Sequence, residues 1–384
     1  MRLIHTADWH LGRTLHGASL IEDQAHLLAQ IVELARHEKP DAVIIAGDVY
    51  DRAVPPTDAV RLLNDVLEQL ILDLKLPVVM IAGNHDAADR LAFASRVLGG
   101  QGLHILGQPV SSTAAVVLED KAGPVHLYPL PYAEPAIVRH CVDRQDLQGH
   151  QAAMQCLLEG IWSRHPKGQR AVAVAHCFVS GSQETESERP LSIGGAGVID
   201  AAVFKGFGHV ALGHLHRPQS CEGGRVQYSG SLMRYSFSET DHEKAVLVTE
   251  IDAAGKSRTE RAHLVPRREV RCLEGRLAEV VAAAKKDKAA DDYLMVTLLD
   301  DEPVFDAMGK LREAYPNVLH IERPALVRQA RGGEARVDHR KMGERELFGA
   351  FFKEVTGEPL TENQGRAFVT VVDELRRSQQ EGEA

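Results

Sequence analysis

The chain has 384 residues, 44% hydrophobic and 26% charged, which excludes wholesale disorder and predicts two or three domains of about 100–200 residues. Its net charge of −10 excludes a nucleic-acid binder that relies on bulk positive charge, although bound cations can reverse the sign inside one cleft. Five scattered cysteines with no CxxC pair argue against a disulfide framework or a thiolate zinc site, and no apolar run reaches the ~18 residues of a membrane span.

Arg2–Thr6, Ala42–Ala46, Val78–Ala82 and Ala171–Ala175 are short apolar runs that read as buried strands. Helical stretches separate them, notably Ile21–Glu38 and Thr57–Leu74. The alternation predicts layered α/β architecture with a largely parallel central sheet. The second helix carries Val60, Leu63, Leu67, Leu70 and Leu74 on one stripe, widened by Leu62, Val66 and Ile71. Such a helix is either buried in a large core or has two neighbours. Val226–Tyr228 and Ala245–Ile251 read as further strands of the same domain.

The texture changes near Arg267–Arg271. Leu273–Lys286 reads as a helix and Lys285–Asp292 as a charged loop, followed by strand, helix and strand over Tyr293–Leu299, Val304–Ala314 and Val318–Glu322. This is the pattern of a second, small domain. Ala330–Lys341, rich in glycine and charge, reads as a linker. Leu347, Phe348, Phe351, Phe352 and Val355 then form an apolar stripe with Gly357 as its C-terminal cap. Thr361-Glu-Asn-Gln364 is a capping box opening a last helix with Phe368, Val369, Val372 and Leu375. These two helices are expected to dock, either on the rest of the chain or on a partner. The N-terminus runs straight into strand-like sequence with no signal peptide, so the expected location is the cytoplasm.

Five polar motifs punctuate the first domain: Asp8-Trp-His10, Gly47-Asp48-Val-Tyr-Asp51-Arg52, Gly83-Asn84-His85-Asp86, His176, and Gly213-His214-Leu-His216. Most follow a predicted strand, at the sheet end where ligands gather. In Asp-x-His and His-x-His, two side chains of one extended segment point the same way, so a short stretch can supply two ligands. Imidazole, carboxylate and amide oxygen without thiolate suit Mn²⁺, Fe²⁺ or a related octahedral ion. Seven candidate ligands (Asp8, His10, Asp48, Asn84, His176, His214 and His216) exceed what one such ion takes. With a bridging carboxylate they divide between two ions roughly 3.5–4 Å apart. Two divalent ions against two aspartates leave the cleft locally positive, which favours a phosphate diester. His85 neighbours a ligand and is the candidate general acid for the leaving oxygen, with Asp51 orienting it. Asp86, Arg52 and His209 stay open between direct and supporting roles.

In order and spacing these motifs resemble the calcineurin-like metallophosphoesterase superfamily, whose pattern is D-x-H, G-D-x-x-D-R, G-N-H-[DE], H and G-H-x-H. The stretches His5–Gly12, Ser187–Gly195, Ala211–Pro218, Tyr228–Ser231 and Arg234–Glu239 are similar to one branch of it, the nuclease subunits of bacterial DNA-end-processing complexes. That likeness is strong over residues 1–250 and holds in outline beyond. It implies an α/β layered metallophosphoesterase sandwich (1–270), a small α+β capping domain that presents DNA (271–328), a linker (329–342) and C-terminal helices (343–384). It also implies two Mn²⁺ per chain, with Mg²⁺ or Fe²⁺ as alternatives. Asp8, His10, Asp48 and His216 would hold one ion, and Asp48, Asn84, His176 and His214 the other. His85 matches the family's catalytic histidine. Leu347, Phe348, Phe351, Phe352, Phe368 and Val372 would grip the coiled-coil base of an ATP-binding-cassette ATPase, and helices near Thr57–Leu74 would form a homodimer. The implied activity is 3′→5′ exonuclease on double-stranded ends and endonuclease on single strands and hairpins. Two departures stand out. Arg52 replaces a histidine of archaeal relatives, and Leu232-Met233 interrupts a stretch that often holds proline. The rival readings are a small-molecule or cyclic-nucleotide phosphodiesterase, and a non-catalytic scaffold that tethers DNA.

Overall fold

The computed structural model describes residues 1–188, 197–324, 344–356 and 358–382. The expected linker, the Gly357 cap and residues 189–195 of the Ser187–Gly195 stretch lie outside the described residues.

Two six-stranded sheets, rather than one central sheet, form the body of the molecule. In the first, Arg2–Thr6, Ala42–Ala46, Val78–Ile81 and Leu103–Leu106 run parallel. Ala245–Ile251 joins Arg2–Thr6 antiparallel, and Ser257–His263 closes that edge. In the second, Gly123–Leu130, Arg170–His176, His209–Gly213 and Val226–Tyr228 run parallel between two antiparallel edge strands, Val116–Asp120 and Gln219–Cys221. The strands are apolar on both faces because both are covered. Leu3, Ala42, Ile44, Ala46, Val79 and Ile81 meet Val125, Leu127, Val172, Val174 and Ala211 between the sheets, and alanine at several of these positions lets them approach closely. Alternate residues such as Ile4, Val43 and Ile45 face outward onto the helix Ile21–Glu38. The layers are helix, sheet, sheet, helix.

The helix expected over Thr57–Leu74 is α-helical to Leu67 and then widens into a π-helix over Glu68–Asp73. The change of period rotates Leu70 and Ile71 into the core, which accounts for an apolar stripe wider than one α-helical face.

The expected helix Leu273–Lys286 is corrected in part. Val270–Gly275 is a strand, and the helix covers only Leu277–Ala284. Val270–Gly275 pairs parallel with Tyr293–Leu298, which pairs parallel with Val318–Glu322. The helices Leu277–Ala284 and Ala307–Ala314 cover one face around Leu294, Val296, Leu311 and Tyr315. The other face meets the body: the Tyr293 hydroxyl donates to buried Asp23 at 2.8 Å, and Val270 and Tyr293 join the body's core.

The last helices are Glu344–Thr356 and Glu362–Gly382. Gln364 and Thr361 exchange the bonds of the capping box, at 2.9 and 3.4 Å. Phe348 stacks on Phe368 at 4.1 Å between ring centroids and touches Phe352, so the helices bury part of their apolar surface on each other. Leu347, Phe351 and Val355 remain exposed at intervals of four.

Candidate metal centre

Each motif sits where the chain leaves a parallel strand. Arg2–Thr6 runs into Asp8 and His10, Ala42–Ala46 into Asp48, and Val78–Ile81 into Asn84 and His85. Arg170–His176 ends on His176, and His209–Gly213 leads to His214 and His216. The first two loops are zipped together by Asp8 N–H to Gly47 O (3.0 Å) and His10 N–H to Asp48 O (2.9 Å). Asp8, His10, Asp48 and His214 all have positive φ, a conformation that costs energy outside glycine and persists only where the surroundings impose it. Gly47 makes a turn at φ 90°. A Cβ on Gly83 would lie 2.1 Å from Asp48 Oδ1, so the third loop reaches the second only because residue 83 has no side chain.

These loops bring the predicted ligands together. The ligand-capable atoms of Asp8, His10 and Asp48 lie within 4.8 Å of one another, and so do those of Asp48, His176 and His214. Asp48 is common to both groups. Asn84 Oδ1 lies 2.9 Å from His176 Nε2 and 3.2 Å from His214 Nδ1, beside the second group. His216 Nε2 lies 3.1 Å from His10 Nε2, beside the first. His85 stands at the edge, half-buried, with its backbone N–H on Asp48 Oδ1 at 2.9 Å. Its Nδ1 donates to the backbone carbonyl of Asp51 at 2.8 Å. Asp51 thus touches His85 through its main chain, while its carboxylate faces Arg13 at 3.2 Å and His10 Nδ1 at 3.5 Å.

The buried ligand side chains shift one another's titration strongly. Asp8, His10, Asp48, His176, His214 and His216 are all buried. Burial, with Asp48 nearby, raises the Asp8 carboxyl well above its ordinary value. Burial would also raise Asp48, but His176 and His85 outweigh it and hold that carboxyl well below its usual range. Burial lowers His10 to about 3 and lowers His214, whereas His176, opposed by burial, is lifted to about 9 by Asp48. Asp8 Oδ2 is buried without a hydrogen-bond partner among the described residues, which costs about 1–3 kcal/mol unless something takes its lone pairs. An orphaned carboxylate oxygen among imidazoles, an amide oxygen and no thiolate fits a divalent cation of the Mn²⁺ type.

Several residues support the ligands, Asp86 from within a motif and Gln24 and Lys244 from outside any. Asp86 accepts three backbone N–H groups, from Gly83 (2.9 Å), Val49 (3.1 Å) and Tyr50 (2.9 Å), and so ties two ligand loops together. Burial and Asp48 lift its carboxyl to about 6. Gln24, on the first helix, donates to Trp9 O and His10 O and accepts from Gly12 N–H. Glu239 and Lys244 lie behind His216, and Glu188 accepts its backbone N–H at 2.7 Å. Arg52 is exposed, and His209 is buried with neither ring nitrogen partnered among the described residues. Glu239 falls within a stretch that resembles the family, yet nothing local marks its task.

Two family models match the chain: calcineurin-like phosphoesterase over residues 1–218, and type 5 capsule protein repressor C-terminal domain over residues 266–356. The SbcD subunit of nuclease SbcCD from Staphylococcus saprophyticus is 33% identical over 98% of each chain. Its namesake from Staphylococcus epidermidis is 32% identical over 95% of this chain and 96% of its own. Among solved structures, a dimetal phosphatase from Danio rerio aligns with 67% of this chain and 98% of its own, at 16% identity and a TM-score of 0.40.

Proposed function

This chain belongs to the calcineurin-like phosphoesterase family, in the branch of the SbcD subunits of nuclease SbcCD, and we propose that it is the Mn²⁺-dependent DNA nuclease of an ATP-dependent end-processing complex. The observation that carries the reading is the gathering of seven ligand-capable side chains into two groups that share Asp48, with His85 beside them. In this reading Asp8, His10, Asp48 and His216 hold one cation, and Asp48, Asn84, His176 and His214 the other. When bound, such a pair supplies an activated water and the positive charge that offsets the phosphate's developing charge.

The chain's own residues supply orientation and a proton. Asp51 O accepts a hydrogen bond from Nδ1–H of His85, so the proton handed to the leaving oxygen is the one that Nε2 carries in the doubly protonated ring, and the ring is left neutral. The bond from His85 N–H to Asp48 Oδ1 makes acid and shared carboxylate move together. The substrates are DNA: double-stranded ends degraded 3′→5′, and single strands and hairpins cut internally.

A net charge of −10 equips the chain poorly to hold DNA alone, which supports a partner. The partner is an SbcC-type ATP-binding-cassette ATPase, held by the C-terminal helices through the face of Leu347 and Phe351, with residues 271–328 capping the DNA cleft. A homodimer through the Thr57–Asp73 region would cover Val60 and Leu72, which are exposed. No helix among the described residues is long and apolar enough to cross a membrane, in keeping with a cytoplasmic site of action.

The test is cleavage of linear duplex and hairpin DNA by the purified chain with Mn²⁺, beside Asp48→Ala. Mn²⁺-dependent cleavage that the substitution abolishes supports site and substrate together. Hydrolysis of a small chromogenic phosphodiester without DNA cleavage, even with the ATPase present, would favour a small-molecule phosphodiesterase.

A further inference from the structure

We infer that Glu239 is a positioning residue for His216, held in place by the buried ammonium of Lys244; the inference rests on the two-metal reading above. Glu239 is 0% exposed. Its Oε1 lies 3.3 Å from His216 Nδ1, and its Oε2 accepts from Lys244 Nζ at 2.5 Å. Because His216 turns Nε2 towards His10, Nδ1 is the nitrogen left facing the protein. An imidazole that offers a lone pair at Nε2 must carry its hydrogen on Nδ1, and that hydrogen needs an acceptor. Ser187 Oγ, at 2.6 Å, can accept or donate and so leaves the tautomer open. The carboxylate of Glu239 can only accept. It is the group that settles which nitrogen is bare.

Lys244 holds both ends of this arrangement. Besides Glu239, its ammonium donates to His216 O at 2.8 Å and to Ser231 Oγ at 2.9 Å, so one cation fixes the histidine's backbone and, through the carboxylate, its ring. The contrast with His176 is informative. There Nδ1 donates to a neutral backbone carbonyl, Ala46 O, at 2.9 Å. An anionic acceptor makes the opposite nitrogen a stronger donor to a cation than a neutral one does, so the two ligand groups are tuned differently. Stability alone does not account for the pair, because a buried ion pair is often matched or bettered by apolar residues of similar volume.

The experiment titrates the full-length chain with Mn²⁺ alone, by calorimetry and electron paramagnetic resonance, and follows urea unfolding of the metal-free chain in parallel. Wild type is compared with Glu239→Gln and with Glu239→Gln/Lys244→Met, in which neither buried charge is left unpaired. Both variants are expected to weaken one Mn²⁺ site by about 10–100-fold and the other by far less. The double variant is expected to regain much of the unfolding stability that the single one loses, without regaining the site. A folded variant that binds two Mn²⁺ as tightly as wild type overturns the inference, and so does equal weakening of both sites. Wild type that binds fewer than two Mn²⁺ overturns the two-metal reading itself, a failure read on a different sample.

Discussion

The Nδ1 hydrogen of His85 goes to the backbone carbonyl of Asp51 at 2.8 Å, while the Asp51 carboxylate faces Arg13 and His10. A backbone acceptor survives substitution of its own side chain, so orientation of the ring and the acid itself can be tested apart. His85→Ala is expected to keep both metals in a Mn²⁺ titration and to lose turnover about 10²–10⁴-fold, the usual worth of a general acid. Asp51→Asn should cost about tenfold or less, because the carbonyl remains. Equal losses would return the orienting role to the carboxylate, and full turnover in His85→Ala removes that residue from the reaction.

Gly83→Ala tests how closely the ligand loops are packed. The added Cβ would meet Asp48 Oδ1 at 2.1 Å and Asp48 N at 2.3 Å, so the shared carboxylate must move. The expected cost is about 1–3 kcal/mol in urea unfolding, as for other overpacked sites, together with weakened Mn²⁺ binding. Gly100→Ala, with nothing among the described residues within 4 Å of its Cβ, is the control and should change neither. If both variants bind Mn²⁺ like wild type, the close approach of the two loops is not needed for the site.

What the sequence reveals and what it hides follow from the range of the interactions. The loops carrying Asp48, Asn84 and His214 are legible because strand, glycine and ligand stand side by side in the chain, and Asp8 because it follows the end of a strand by two residues. Glu239 and Lys244 act on a histidine 23 and 28 residues away, and no local pattern records that. Gln24 looks like any polar residue of an amphipathic helix until the fold turns it under the Asp8–Gly12 loop. The strand Val270–Gly275 merges into a helical pattern in the sequence because only Val270 in it is fully buried, and its partner Tyr293–Leu298 comes later in the chain.

Gln24 lies under a loop with positive φ at Asp8, His10 and Gly12. Its amide nitrogen donates to Trp9 O (3.1 Å) and His10 O (2.8 Å), and its oxygen accepts from Gly12 N–H (3.1 Å). Leucine fills similar volume but leaves these buried groups unpaired, at about 1–3 kcal/mol for each group left without water. Gln24→Leu is therefore expected to lower unfolding stability in urea by a few kcal/mol and to weaken Mn²⁺ binding through His10. A neutral result would mean that the loop holds its shape without the clamp.

His5 and His209 are buried away from the ligand groups, and burial lowers them to about 3 and about 4. Both are neutral in the folded chain, whereas in the unfolded chain they take up protons below about pH 6.5. The unfolded state then binds more protons, so stability is full above about pH 6.5 and falls as the pH drops towards about 4. His209 has neither ring nitrogen partnered among the described residues, so an apolar replacement removes the titration and strands no bonded partner there. His209→Phe is expected to fold at least as well at about pH 7 and to flatten the loss between about pH 6.5 and 4 by about 2–3 kcal/mol. Unfolding curves that fall with pH as steeply as wild type would locate the acid sensitivity elsewhere.

Phe348 and Phe351 are three residues apart in one helix and face different tasks. Phe348 stacks on Phe368 and joins the two C-terminal helices, while Phe351 is 61% exposed. Phe348→Ala should therefore loosen the helix pair itself, read as lost helical ellipticity and earlier proteolysis of the C-terminal segment. Phe351→Glu should leave the fold, Mn²⁺ binding and small-phosphodiester hydrolysis of the isolated chain unchanged. It is expected to weaken binding of a coiled-coil ATPase by about 30-fold or more, since a charge would replace an aromatic anchor worth at least about 2 kcal/mol. Unchanged affinity in Phe351→Glu would place the partner on another surface. Loss in Phe348→Ala alone would mean that the partner needs the helix pair intact but does not use this face.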